Sequence, residues 1–160
     1  MFLWFVGLSL VLVTVVFSSP ALDYRMVMLG SVLPLLDGVT GGAWILHTLL
    51  CSVVALAVVM LATRGRRLVR RRWLGIPIGL FVHLVLDGVW TNTHLFWWPF
   101  FGAGFKGESL PETTRGGLVV VMELIGLATL VWGARRFGLT DPASRRRFLR
   151  TGQLPRQAVG

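Results

Sequence analysis

The sequence predicts an all-α integral membrane protein of four transmembrane helices, and three observations predict it. Of 160 residues, 54% are hydrophobic and only 14% charged, more apolar surface than a soluble chain of this length can bury. The apolar residues gather into four runs long enough, or nearly so, to cross ~30 Å of hydrocarbon at ~1.5 Å per residue. The basic residues behind the net charge of +9 stand in blocks beside those runs, the pattern that orients helices in a bilayer.

The runs cover residues 2–18, 43–62, 73–90 and 117–133, and none contains Lys or Arg. The first lacks the cationic start of a signal peptide, and its apolar stretch exceeds a usual signal core, so a retained helix is expected. A fifth apolar piece, residues 26–36, is about half the length of a span and is interrupted by Pro34. It reads as an interfacial or re-entrant segment. Residues 1–138 form the expected four-helix domain, and residues 139–160 a basic cytoplasmic tail.

Orientation follows from counting basic residues beside the spans. Thirteen arginines flank the second and fourth runs: Arg64, Arg66, Arg67, Arg70, Arg71, Arg72, Arg135, Arg136, Arg145, Arg146, Arg147, Arg150 and Arg156. Only Arg25, Lys106 and Arg115 fall on the other side, with the acids Asp23, Asp37, Asp87, Glu108 and Glu112. The expectation is N-in and C-in, multi-pass, in a bacterial-type cytoplasmic membrane. Trp90, Phe96, Trp97, Trp98, Phe100, Phe101 and Phe105 crowd the exit of the third run, where amphipathic rings favour the headgroup level. The Ser144–Arg150 stretch suits anionic lipid, so membrane lipids are the expected partners and nucleic acid is not. Cys51 is the one cysteine, which rules out an intramolecular disulfide.

Ionisable side chains inside spans are costly and mark function or specific packing. His47 lies in the second run, His83 and Asp87 in the third and Glu123 in the fourth; Asp37 precedes the second and His94 follows the third. Counted inward from the outer boundary, His47, His83, Asp87 and Glu123 fall roughly 5–11 Å deep, as one site would require. His83 and Asp87, four apart, share a helical face that continues through Gly75 and Gly79. Small residues there suit close helix packing in a membrane. Imidazoles and carboxylates converging from neighbouring helices can hold a divalent ion, with Zn²⁺ the expected one. For each residue a plainer role competes. Asp37 before a glycine-rich stretch can cap a helix, His83 and Asp87 can lock packing as a hydrogen-bonded pair, His47 can bond a neighbouring backbone, and His94 can be an interfacial histidine. Glu123 can bond across helices or act as a base. Leu36-Asp37-Gly38-Val39-Thr40 also echoes Leu86-Asp87-Gly88-Val89-Trp90-Thr91, a weak hint of duplication.

Leu33-Pro34-Leu35-Leu36-Asp37, His47-Thr48 and Gly79-Leu80-Phe81-Val82-His83-Leu84-Val85-Leu86-Asp87 together resemble the membrane-bound metal-dependent hydrolases. That family is also described as LexA-binding and inner-membrane-associated. Phe96-Trp97-Trp98-Pro99-Phe100 is similar to its Leu-Trp-Pro-Phe ending, and the likeness runs over residues 33–101. By position, Asp37 matches the second Asp of the family's Pro-Asp-x-Asp-His start, His47 the last His of its His-Arg-Gly-x-Thr-His block, and His83 and Asp87 its His-x-x-x-Asp pair. Leu35 and Gly38 replace the first Asp and the His of the start, and the His-Arg-Gly portion is missing.

The resemblance implies a membrane-embedded, metal-dependent hydrolase, and the location of the site near the outer face, among lipid headgroups, makes a lipid or lipid-linked phosphate or ester the expected substrate. Asp37, His47, His83 and Asp87 would be the metal ligands, with Glu123 or His94 as acid/base. The competing expectation is a non-catalytic membrane protein whose polar cluster fixes helix packing or binds a partner. Ion passage is disfavoured, because no polar path continues to the basic side. No P-loop, dinucleotide fingerprint, nucleophile elbow or zinc-finger spacing occurs.

Overall fold

Backbone hydrogen bonding closes this apolar chain into helices, and glycines and polar caps decide where each one stops. The computed structural model describes residues 1–102, 104 and 115–154. Among these the elements are α1 (Phe2–Phe17), α2 (Tyr24–Val32), α3 (Leu49–Ala62), α4 (Arg67–Trp73), α5 (Gly75–Asp87), α6 (Thr93–Phe96), α7 (Leu118–Arg136) and α8 (Pro142–Thr151). Short 3₁₀ segments at Leu33–Thr40, Ile45–His47 and Val89–Thr91 link them. Phe105, Lys106, Glu108, Glu112 and Arg156, used in the charge count and the aromatic boundary, lie outside the described residues.

The expectation of four membrane-spanning helices is corrected. Among the described residues only α7 is both long and apolar enough to cross a bilayer; α1 and α3 are shorter apolar helices. The reason lies at the helix ends. Ser18 turns left-handed at φ 45° and stops α1 after 16 residues, a length of ~24 Å. The second run loses residues 43–48 to a turn, because the Thr48 hydroxyl accepts the Cys51 N–H and starts α3 only at Leu49. In the third run Trp73 belongs to α4, and Gly88 at φ 73° ends α5 after 13 residues. Left-handed caps of this kind satisfy the last helical carbonyls and end the element.

Residues 26–36, expected to be an interfacial or re-entrant segment, are helical and do not lie at the periphery. They belong to α2 and the 3₁₀ segment after it, and α2 lies in the centre of the fold against α5. A Cβ on Gly30 would strike the Ile76 carbonyl, and one on Gly79 would strike Val27 and Ser31 backbone. Here glycine is required because two backbones touch. Gly7 and Gly126 do the same for α1 and α7, where a Cβ on Gly7 would stand 2.5 Å from the Gly126 carbonyl oxygen. The Ser31 hydroxyl ties α2 to α1 through Ser9 Oγ at 3.1 Å.

Counting α2 as a full element reverses the expected placement of one terminus. The Met1 amino group pairs with Glu123 at 3.2 Å, at the end of the bundle that holds Asp87. At the opposite end the Tyr24 N–H donates to the Gly152 carbonyl, 2.8 Å, and Arg25 Nη1 to the Leu149 carbonyl, 2.5 Å. Asp23 there accepts from Arg25 and faces Arg72 at 3.7 Å. The N-terminus and α8 therefore lie at opposite ends, in place of the N-in/C-in arrangement. Arg25 joins the arginine-rich end. Phe148 and Leu154 bury with Leu10, Val13, Tyr24 and Val82 in one core, so α8 is docked on the bundle.

If backbone contact of α2 with α5 holds the fold, Gly79→Ala should cost about 2 kcal/mol or more through overpacking. Gly117→Ala, where a Cβ meets nothing within 4 Å, should leave the unfolding midpoint in detergent unchanged. Equal midpoints for both variants would contradict this packing.

Candidate metal centre

A buried imidazole offers two nitrogens, and the partner of one fixes what the other can do. His83, on α5, is fully buried, and its Nδ1 lies 2.7 Å from the Ser31 carbonyl at the end of α2. A carbonyl only accepts, so Nδ1 carries the proton and Nε2 keeps a lone pair. His47, in the 3₁₀ segment before α3, places its Nδ1 2.8 Å from Asp37 Oδ2, so that in the neutral ring Nε2 is the acceptor. Both Nε2 atoms are buried without a hydrogen-bond partner. Leaving such atoms unsatisfied is unfavourable unless something else fills the role.

These nitrogens converge. Nitrogen atoms of His47 and His83 and an oxygen of Asp87 lie within 4.8 Å of one another, and all three residues are buried. The rings meet edge to face at 5.2 Å, and Phe5 of α1 stacks on His83 at 3.9 Å, holding its orientation. The donor set suits a divalent ion: two neutral imidazoles and a carboxylate, each imidazole oriented by a carboxylate or carbonyl on its far nitrogen. That outer support is typical of histidines that ligate metals. A tetrahedral zinc would draw the three donors to about 3.3 Å apart, a small inward rotation.

Asp37 is 3% exposed and holds two groups, His47 Nδ1 and the Trp44 N–H at 3.0 Å. It thus stands behind His47, outside the group of three, and acts as a positioning residue. The two remaining sequence candidates face elsewhere. Glu123 accepts the Leu3 N–H at 2.8 Å and pairs with the Met1 amino group, tying α7 to the start of α1. His94 is exposed, and its Nδ1 donates to the Phe101 carbonyl at 3.0 Å.

Three neighbours of the site were missed by sequence reasoning. Arg115 Nη1 lies 3.0 Å from Asp87 Oδ1, Nη2 donates to the Asp87 carbonyl, and the chain of Met1 lies alongside. Its signal was present, one of three basic residues on the poorly basic side. Phe5 gave only helical apolarity, and the Ser31 carbonyl gave none, being backbone.

The chain matches no protein-family model, no curated protein and no solved structure at a significant level.

Two outcomes follow from these placements. Glu123→Gln should loosen the start of α1, lowering stability by about 1 kcal/mol as a charge-assisted bond is lost, while metal content stays at the wild-type level. Asp37→Asn should weaken divalent-ion affinity 10- to 100-fold, as changes behind a ligand do, measured by competition with a zinc indicator.

Proposed function

We propose that the chain is a membrane-embedded, metal-dependent hydrolase whose ion is held by His47, His83 and Asp87. The observation that carries this reading is that ligand atoms of His47, His83 and Asp87 lie within 4.8 Å of one another, while the buried Nε2 of each histidine has no hydrogen-bond partner. The likeness of the Asp37, His47, His83 and Asp87 segments to membrane-bound metal-dependent hydrolases agrees with it. When bound, a divalent ion would supply Lewis acidity to a phosphoryl or carbonyl oxygen. The chain's own residues orient the donors. Asp37 and the Ser31 carbonyl fix the tautomers of His47 and His83, Phe5 sets the ring plane, and burial excludes bulk water. Glu123 and His94, occupied elsewhere, are not assigned the acid/base role.

Location in the cytoplasmic membrane is part of the same proposal. Of the apolar window of α7 only 11% is buried, unlike a core helix of a soluble protein. Val15, Val16, Leu61, Val120 and Leu124 are likewise exposed, an apolar surface that lipid would cover. The arginines at one end suit the anionic cytoplasmic leaflet, which puts the His/Asp cluster toward the outer side. Trp90, Trp97, Phe100 and Phe101 are exposed at that end, as an interfacial belt requires. An apolar groove of about 510 Å³, bordered by Leu12 and Phe17 of α1, Leu49 and Leu56 of α3 and Phe81 of α5, is lined almost wholly by carbon. Its size and chemistry suit the tail of a lipid or lipid-linked substrate.

The Asp87–Arg115 pair favours a second reading, a non-catalytic cluster that fixes helix ends, since it already balances the Asp87 charge. The two readings part on metal content. The hydrolase reading expects close to one zinc per detergent-purified chain by elemental analysis, lost in a His83→Ala/Asp87→Ala double variant. No metal in either protein, with the variant less stable, would establish the packing reading instead.

A further inference from the structure

Arg115 is the feature that metal binding alone does not use. The three candidate ligands are buried at 0%, 0% and 1% exposure, whereas the Arg115 side chain is 22% exposed. A molecule approaching the cluster past this side chain meets the guanidinium first. Arg115 holds Asp87 twice, through Oδ1 and through the carbonyl, and a guanidinium carries five N–H donors in a planar fork. An ion on the Asp87 carboxylate would take over the charge that Arg115 now balances. The carbonyl contact keeps the guanidinium beside the ion, with N–H groups left for an incoming anion.

Charge points the same way. Among the described residues the charged side chains at the cluster are Asp37, Asp87 and Arg115, while Glu123 and the Met1 amino group cancel one another. With both imidazoles neutral, as metal ligation requires, two carboxylates and one guanidinium leave one net negative charge, which a divalent ion converts to one net positive charge. Inside a buried site an uncompensated charge is strongly disfavoured. A neutral ester would leave that charge standing, and a monoanion would cancel it.

We propose that Arg115 is the anion-recognition group of this site and that the substrate is a phosphodiester monoanion. The inference rests on the metal-site reading above and narrows its substrate class from phosphate or ester to phosphodiester. The fork of an arginine matches two phosphate oxygens, which a lysine cannot reproduce.

The test is titration calorimetry of zinc-loaded protein in detergent with dibutyl phosphate, a monoanion, and tributyl phosphate, its neutral counterpart. Wild type should bind the monoanion at least tenfold more tightly than the triester. Arg115→Gln should lose most of that preference while its zinc affinity rises, because Asp87 is released, and Arg115→Lys should fall between. Equal binding of the two phosphates by wild type overturns the proposal without recourse to any variant; so does a preference undiminished in a folded Arg115→Gln. Zinc measured on the same samples separates the failures. Zinc present without charge preference sinks this inference alone, and absence of zinc from wild type sinks the metal-site reading with it. Dimethyl phosphate identifies the source within a positive result. Weaker binding than dibutyl phosphate assigns a membrane phospholipid, and equal binding a water-soluble diester.

Discussion

The contact between the backbones of α2 and α5 is the constraint on which the rest of the structure depends. Gly30, Gly75 and Gly79 leave no room for a side chain between the two helices, so their peptide groups come within reach of side chains across the gap. That approach brings the Ser31 carbonyl to 2.7 Å from His83 Nδ1. It fixes the tautomer of a fully buried group in the cluster. The same helix pair carries Asp87 to the end of α5 and the Leu33–Thr40 segment, with Asp37, to the end of α2. The two acids behind and beside the histidines therefore reach one end of the bundle together.

The two ends of the bundle divide the chemistry. At one end lie the arginines of the α3–α5 connection, of the last turn of α7 and of α8, and there Asp23 pairs with Arg25 and faces Arg72. The contacts there are ion pairs and caps that dock α8, with Phe148 as its apolar anchor. At the other end, among the described residues, the acids have neighbours: Glu123 with the N-terminus, Asp37 with His47, Asp87 with Arg115. Sparse, individually matched charges are what a low-dielectric site tolerates, because each unmatched one is costly. The two histidine Nε2 atoms, buried without a hydrogen-bond partner, are the basis of the proposal that the cluster holds an ion.

The arrangement also separates roles that one stretch of sequence mixes together. His47 sits in a 3₁₀ turn and not within α3, so its ring can enter the cluster from the side, edge-on to His83. Asp37 stands behind it and keeps the ring from rotating. Glu123, at a similar depth, serves a different task on a different pair of helices.

The sequence by itself determined the all-helical character, the strong segregation of arginine to one end, the small-residue face of α5 and the candidacy of His47, His83 and Asp87. Each of these follows from composition or from spacing along one element, which needs no partner to be read. Only the tertiary structure decided the helix limits, because a left-handed Ser18 or Gly88 and a Thr48 cap shorten runs that hydropathy joins. It also moved residues 26–36 from the periphery to the centre, since the fit of Gly30 against Ile76 is a property of two helices together. The same packing moved Arg25 to the arginine-rich end and the N-terminus to the other, and placed Asp37 behind His47. It also set Arg115 on Asp87 from a distant part of the chain. Contacts between elements far apart in sequence leave no periodicity to detect, and a backbone carbonyl such as that of Ser31 leaves no trace in residue identity at all.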